Sequence, residues 1–147
     1  GVLIEHRPGP FGHSGGDVLL HALSDALLGA AGLGDIGEWF PDTDPKWKDA
    51  DSAQFVHAAL NAVRERGWII TNLDCTIFAE QPKLKPHKPA IRARLAELLD
   101  LPADRINVKA KTGEQVGPIG RGEAIAADVV VLLSSEGAKG QSGKGAK

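Results

Sequence analysis

The stretch WIITNLDCTIFA, from Trp68 to Ala79, decides the fold. It is rich in β-branched residues and partly alternating, which predicts a strand. Just before it, Asp51 can cap a helix running to about Arg66, and Gly67 would end that helix. Just after it, the basic, proline-broken loop QPKLKPHKP leads into a helix from about Ala90 to Leu99, with Ile91, Leu95 and Leu98 on one side. RINVKAK, Arg105 to Lys111, predicts a second strand, and the glycine-rich loop TGEQVGPIGRGE follows it. AIAADVVVLLS, Ala124 to Ser134, predicts a further strand; its continuous apolar run is that of a strand covered on both faces. Toward the N-terminus, Gly32 to Asp51 is a long loop with acids, Pro41 and Pro45, of the length that functional loops have. From Asp17 to about Ala31, Val18, Leu19, Ala22, Leu23, Ala26, Leu27 and Ala30 recur at three and four, a helical stripe. Val2-Leu3-Ile4 is a strand end, followed by a Pro- and Gly-rich loop to residue 12. Strands alternating with helices predict an α/β (α+β) fold, a sheet with helices packed on it. Residues 1–135 read as one domain, and the tail from Glu136 to Lys147 has nothing to bury and is expected to be disordered.

The 147 residues are enough for a sizeable core. A net charge of -2 argues against a nucleic-acid surface, which needs a basic excess. A small phosphorylated ligand needs only a local basic cluster. The single cysteine, Cys75, precludes an internal disulfide and fits a reducing compartment. No apolar run is long enough to span a membrane, and no signal peptide is visible. The chain starts at Gly1 and has no methionine, so a preceding N-terminal segment is expected.

GHSGGDVLLHALSD, Gly12 to Asp25, concentrates polar groups at a helix start. Glycines before a helix let backbone N–H groups approach an anion, with His13 and Ser14 as further donors. The plainer alternative is that Ser14 or Asp17 caps the helix. Asp17, His21 and Asp25 fall one turn apart on a single face. An imidazole between carboxylates is either a metal ligand held from behind or a partly exposed histidine in side-chain pairs. Asp35, Glu38, Asp42 and Asp44 are candidates for ribose hydroxyls or a divalent cation, or form a solvated acidic loop. Lys83, Lys85 and His87 offer charge to a phosphate, or solvate a face. Thr112, Glu114 and Arg121 sit on the glycine-rich loop, where a hydroxyl and an arginine bind phosphate and a carboxylate binds magnesium. His6 and His57 read as structural or surface residues. Taken together these groups point to a phosphoryl-group enzyme.

Four segments in this order and spacing, HSGGDVLLHALSDALLGAAGLGDIG, FPDTDPKWKDADS, PKLKPH and VKAKTGEQVGPIGRGEAIAADVVVLL, closely resemble the 2-C-methyl-D-erythritol 2,4-cyclodiphosphate synthase family of the non-mevalonate isoprenoid pathway. The resemblance covers essentially Gly1 to Ser134. It implies a ferredoxin-like mixed β-sheet with helices on one face, in a homotrimer with active sites between subunits. It implies cyclisation of 4-diphosphocytidyl-2-C-methyl-D-erythritol 2-phosphate with release of CMP, a zinc ion, and a second cation, magnesium or manganese. His21 matches the zinc-binding histidine and Glu114 the ligand of the second metal. His13 and Thr112 match the residues that steady the transition state, and Ser14 contacts substrate beside His13. Asp35, Ile36 and Gly37 match the segment at the diol and ribose. Phe40, Pro41, Asp42, Thr43 and Asp44 match a flexible loop over the methylerythritol. Ala79, Glu80, Gln81, Pro82, Lys83, Leu84 and Lys85 match the cytosine and diphosphate pocket. Lys111, Gly113, Pro118 and Arg121 complete the substrate contacts. No nucleic acid or membrane partner is implied. The location implied is the cytoplasm of a bacterium, or the plastid of a plant or alga.

The chain departs from the family in three places. Two zinc ligands belong to an Asp-x-His motif upstream of Gly1, so an N-terminal strand carrying it is expected. Gly15 stands where the family has Asp, and KTGE replaces a Thr-rich version of the last motif while keeping Thr112 and Glu114. Two other functions compete: an inactive homologue that binds nucleotides or isoprenoid phosphates as an oligomer, and a metal-dependent phosphohydrolase that makes linear products and inorganic phosphate.

Overall fold

The computed structural model describes residues 2–5, 11–48, 50–81 and 83–136; for 2–5 and 11–15 it describes the backbone alone. Four strands form one mixed sheet in the order β1 (Val2–Glu5), β4 (Ala124–Ser135), β2 (Trp68–Phe78), β3 (Ile106–Lys111). β1 and β2 both run antiparallel to β4, whereas β2 and β3 are parallel. A parallel pair cannot be closed by a hairpin, and α4 (Lys88–Leu99) makes the crossover. Two further helices, α1 (Phe11–Ala30) and α3 (Ser52–Glu65), pack on each other, and α1 packs on β4.

Alternation along the strands sets which face is covered. On β2, Leu73, Cys75 and Ile77 are buried while Asp74, Thr76 and Phe78 are partly open. On β3, Ile106 and Val108 are buried and Asn107 and Lys109 exposed. The buried set meets Leu23, Leu27 and Leu28 of α1, Val56 and Val63 of α3, and Leu95 and Leu99 of α4. Each such side chain contributes roughly 1.5–3 kcal/mol on burial. On the other face Lys109 Nζ lies 2.7 Å from Asp74 Oδ2, and Asn107 Nδ2 donates to Asp74 Oδ1 at 3.0 Å.

The ends of α3 are as the sequence predicts. Asp51 Oδ1 accepts from the N–H of Ala53, and Gly67, at φ +83°, turns the chain back into β2. Other expectations are corrected. The first helix starts at Phe11, not Asp17, so Gly15 and Gly16 lie inside it and form no loop ahead of it. Glycine weakens a helix by only about 1 kcal/mol against alanine, and after Pro10 every residue keeps its N–H, so the helix that packs from Val18 onward extends back through them. The loop from Gly32 to Asp51 contains a short helix, α2 (Ile36–Trp39), and the glycine-rich loop contains another, α5 (Gly117–Gly120). The basic loop is partly helical, with a 3-10 turn at Lys85–His87, so α4 begins at Lys88. β4 is not covered on both faces within the chain, since Val130 is 69% and Leu132 58% exposed. His6, Pro82 and the tail beyond Glu136 lie outside the described residues.

Candidate functional site

The register gathers one end of the sheet. Phe78 at the end of β2 is opposite both Lys111, at the end of β3, and Ala126, near the start of β4, while Glu5 is opposite Ala124. The chain therefore leaves β2 and β3 side by side, at the carboxyl ends of the parallel pair, where α/β sheets bind ligands. Five residues separate Glu5 from Phe11, which holds the start of α1 within about 20 Å of the same end. His13 and Ser14 lie in its opening turns, and their side chains lie outside the description.

The segment leaving β2 and the loop leaving β3 are bound together. The N–H of Ala79 donates to the Lys111 carbonyl at 3.0 Å. Glu80 Oε1 accepts from the N–H of Gly113 at 3.1 Å and of Gln115 at 3.4 Å. The N–H between them, that of Glu114, donates to Thr112 Oγ1 at 3.2 Å. Glu114 and Gln115 have φ of 51° and 64°, left-handed values that cost non-glycine residues energy. The turn is also packed from behind: a Cβ on Gly113 would collide with the backbone of Gly120, and one on Gly120 with that of Gln115. Leu84 and Ala79 are buried, whereas Gln81, Lys83, Lys85, Lys111, Thr112, Glu114 and Pro118 are exposed. Arg121 makes a two-pronged contact with Glu123, Nε to Oε1 at 2.9 Å and Nη2 to Oε2 at 3.1 Å. That hydrogen-bonded pairing raises the guanidinium pKa and lowers the Glu123 carboxyl.

The polar face of α1 is a second cluster. Ser52, buried at the start of α3, donates its Oγ hydrogen to Asp17 Oδ1 at 2.9 Å and lies 3.2 Å from His21 Nε2. A hydroxyl has one hydrogen. With it on Asp17, the serine oxygen is placed to accept from Nε2–H of His21. The His21 ring also rests against Phe55, with centroids 5.6 Å apart. Asp25 is on the same face but has another partner, accepting from the Ile36 N–H at 3.2 Å.

Beyond it, Asp35 caps α2 by accepting from the Glu38 N–H at 3.0 Å, and Gly37 is exposed on that helix. Phe40 is buried, 4.6 Å from the Trp47 ring and 5.0 Å from that of Phe55. It anchors the segment in which Asp42 and Thr43 are exposed and Pro41 and Asp44 half-buried. The fold thus joins Ala79 and Glu80 to Lys111, Gly113 and Gln115, and separately joins Asp17 and His21 to Ser52 and Asp25 to Ile36. His21 and Glu114 stand on different elements, and among the described residues no three His, Cys, Asp or Glu side chains are grouped to hold a metal ion. Sequence reasoning missed Ser52, Trp47 and Phe55. Ser52 is hidden behind its neighbour Asp51, which accounts for the helix start by itself. The recurrence of aromatics at 40, 47 and 55 was the available signal for the anchor.

The profile of the YgbB family matches residues 1–134. The 2-C-methyl-D-erythritol 2,4-cyclodiphosphate synthase of Halalkalibacterium halodurans is 55% identical over 133 residues, covering 90% of this chain and 85% of that protein. Among solved structures, the bifunctional IspDF from Campylobacter jejuni superposes with a TM-score of 0.77 at 51% identity, over 84% of this chain and 33% of that one. A 2C-methyl-D-erythritol-2,4-cyclodiphosphate synthase in its CDP-bound form superposes with a TM-score of 0.73 at 42% identity, over 78% of this chain and 74% of that one.

Proposed function

The chain belongs to the YgbB family, whose relatives are 2-C-methyl-D-erythritol 2,4-cyclodiphosphate synthases, and from that membership we infer that it is a lyase of isoprenoid biosynthesis. It converts 4-diphosphocytidyl-2-C-methyl-D-erythritol 2-phosphate into the 2,4-cyclodiphosphate and CMP. An oxygen of the 2-phosphate attacks the β-phosphorus, a new P–O bond closes the ring, and the bond to the α-phosphate breaks with its electron pair leaving on CMP. The nucleophile is already an anion, so no strong base is required. What the protein has to supply is alignment of two phosphates and relief of their repulsion.

The hydrogen bonds that tie Ala79 and Glu80 to Lys111, Gly113 and Gln115 support this assignment of the site. Residues 79–85, with exposed Lys83 and Lys85, take the cytidine and its diphosphate, Glu80 by holding the facing turn and not by touching them. Lys111, Thr112 and Arg121 contact the phosphates, with Gly113 and Pro118 shaping the loop. Thr112 and His13 steady charge in the transition state, with Ser14 beside His13. Asp35, Ile36 and Gly37 meet the diol and ribose, and residues 40–44 cover the methylerythritol. His21 fits a zinc ligand by its donor chemistry, an imidazole oriented by the Ser52 hydroxyl 3.2 Å from Nε2. Glu114, an exposed carboxylate on the opposite loop, fits a ligand for magnesium or manganese. When bound, such cations offset phosphate charge. A ferredoxin-like protomer in a homotrimer places the two clusters of neighbouring chains together. The exposed apolar stripe of Val130 and Leu132 supports that assembly.

The test is turnover of the substrate with zinc and magnesium added, reading CMP by chromatography and the second product by mass. Wild type is expected to give the cyclic diphosphate, and His21→Ala and Thr112→Ala to lower kcat/KM by at least about 100-fold, the scale of a lost transition-state contact. A linear product with inorganic phosphate would identify a phosphohydrolase, and binding without turnover an inactive binding protein.

A further inference from the structure

We propose that Glu80 is a positioning residue, whose carboxylate holds the Thr112–Gln115 turn in its left-handed conformation. The proposal rests on the assignment of that turn to the site. Glu114 and Gln115 are consecutive non-glycine residues at positive φ, 51° and 64°. Such a pair persists only where the surroundings over-determine it. Successive N–H groups in this kind of backbone form a concavity that binds anions. Here the anion is internal, since Glu80 Oε1 accepts from the N–H groups of Gly113 and Gln115. The intervening Glu114 N–H is occupied by Thr112 Oγ1. All three amides are therefore engaged by the protein's own side chains, and substrate phosphates meet this turn through side chains rather than through its backbone. Glu80 follows Ala79, whose N–H continues the β2–β3 ladder by donating to Lys111, so the carboxylate comes from a fixed position. It fastens the nucleotide segment to the segment bearing Thr112 and Glu114.

The experiment uses the full chain with Glu80→Ala, Glu80→Gln and the double variant Glu80→Ala/Gln115→Gly. Two readouts are taken: amide hydrogen exchange at Gly113 and Gln115, and kcat and KM for CMP release. Glu80→Ala is expected to speed both amides and to lower kcat about 10- to 100-fold, the scale of a misplaced reacting group, with a smaller change in KM. Glu80→Gln keeps an acceptor oxygen and recovers most of kcat. Gln115→Gly removes the Cβ penalty at positive φ and recovers part of it without any carboxylate. Unchanged exchange in Glu80→Ala would overturn the proposal. So would a double variant as impaired as Glu80→Ala, which would mean that Glu80 acts on substrate directly. Should Glu80→Ala not fold, the double variant Glu80→Ala/Gln115→Gly decides by the exchange of the Gly113 amide, acceleration supporting the clamp and none refuting it. Absence of CMP release by the wild type would overturn the reaction itself, with exchange still judging the clamp.

Discussion

Ser52 shows how much one side chain can organise. It is 5% exposed and joins a carboxylate and an imidazole from successive turns of α1. Asp17 and His21 are half-buried, so water reaches them when the hydroxyl is removed. Ser52→Ala is therefore expected to destabilise the protein by about 0.5–1.5 kcal/mol, the net worth of a hydrogen bond, read by urea denaturation. An unchanged midpoint would mean that water replaces the hydroxyl without loss. The spacing of Asp17, His21 and Asp25 was legible as one polar face, because helical periodicity is local. Their partners were not. Ser52 is 35 residues from Asp17 in sequence, and only the packing of α3 on α1 brings it there.

The parallel pair β2–β3 carries a titration expressed in stability. The hydrogen bond from Lys109, helped by Asn107 and the lysine's charge, holds the Asp74 carboxyl below its usual value of 3.8, against a smaller opposing effect of burial. A carboxyl depressed in the folded state adds stability above its unfolded value, and that contribution is lost as pH falls through the folded value. The pair is half exposed, so its worth is about 0.5 kcal/mol. Asp74→Asn is expected to lower stability by that amount at neutral pH, and the difference from wild type to vanish in melts taken well below pH 3.8. A constant difference across the series would show that the ion pair contributes nothing. On the same strand, burial pushes the Cys75 thiol up to about 12, so the native protein is expected to resist alkylation at neutral pH and the urea-unfolded chain to react. The strands and α3 were legible because β-branched runs and the Asp51 and Gly67 signals act within a few residues. The start of α1 was not, since glycine's local penalty was outweighed by packing that its own sequence does not record.

At the scale of the whole molecule, Val130 and Leu132 remain open on β4 although the strand reads as buried on both faces. In the proposed trimer a neighbouring copy would cover them. Leu132→Glu is expected to shift the protein from trimer to monomer in light scattering, with CMP release lost alongside. A monomeric wild type would remove the assembly and the shared site with it.

The sequence by itself determined the order of the strands and the three long helices, the stripe that packs α1, and the four segments that announce the family. These depend on near neighbours and on residue type, which a chain displays in order. Tertiary structure alone decided that Ala79 bonds to Lys111, that Glu80 fills the concavity beside Thr112, and that Ser52 meets His21. Those contacts come from the parallel pairing of β2 with β3 and the docking of α3 on α1. They form between residues tens of positions apart, where burial of a shared core, rather than local preference, selects the partner.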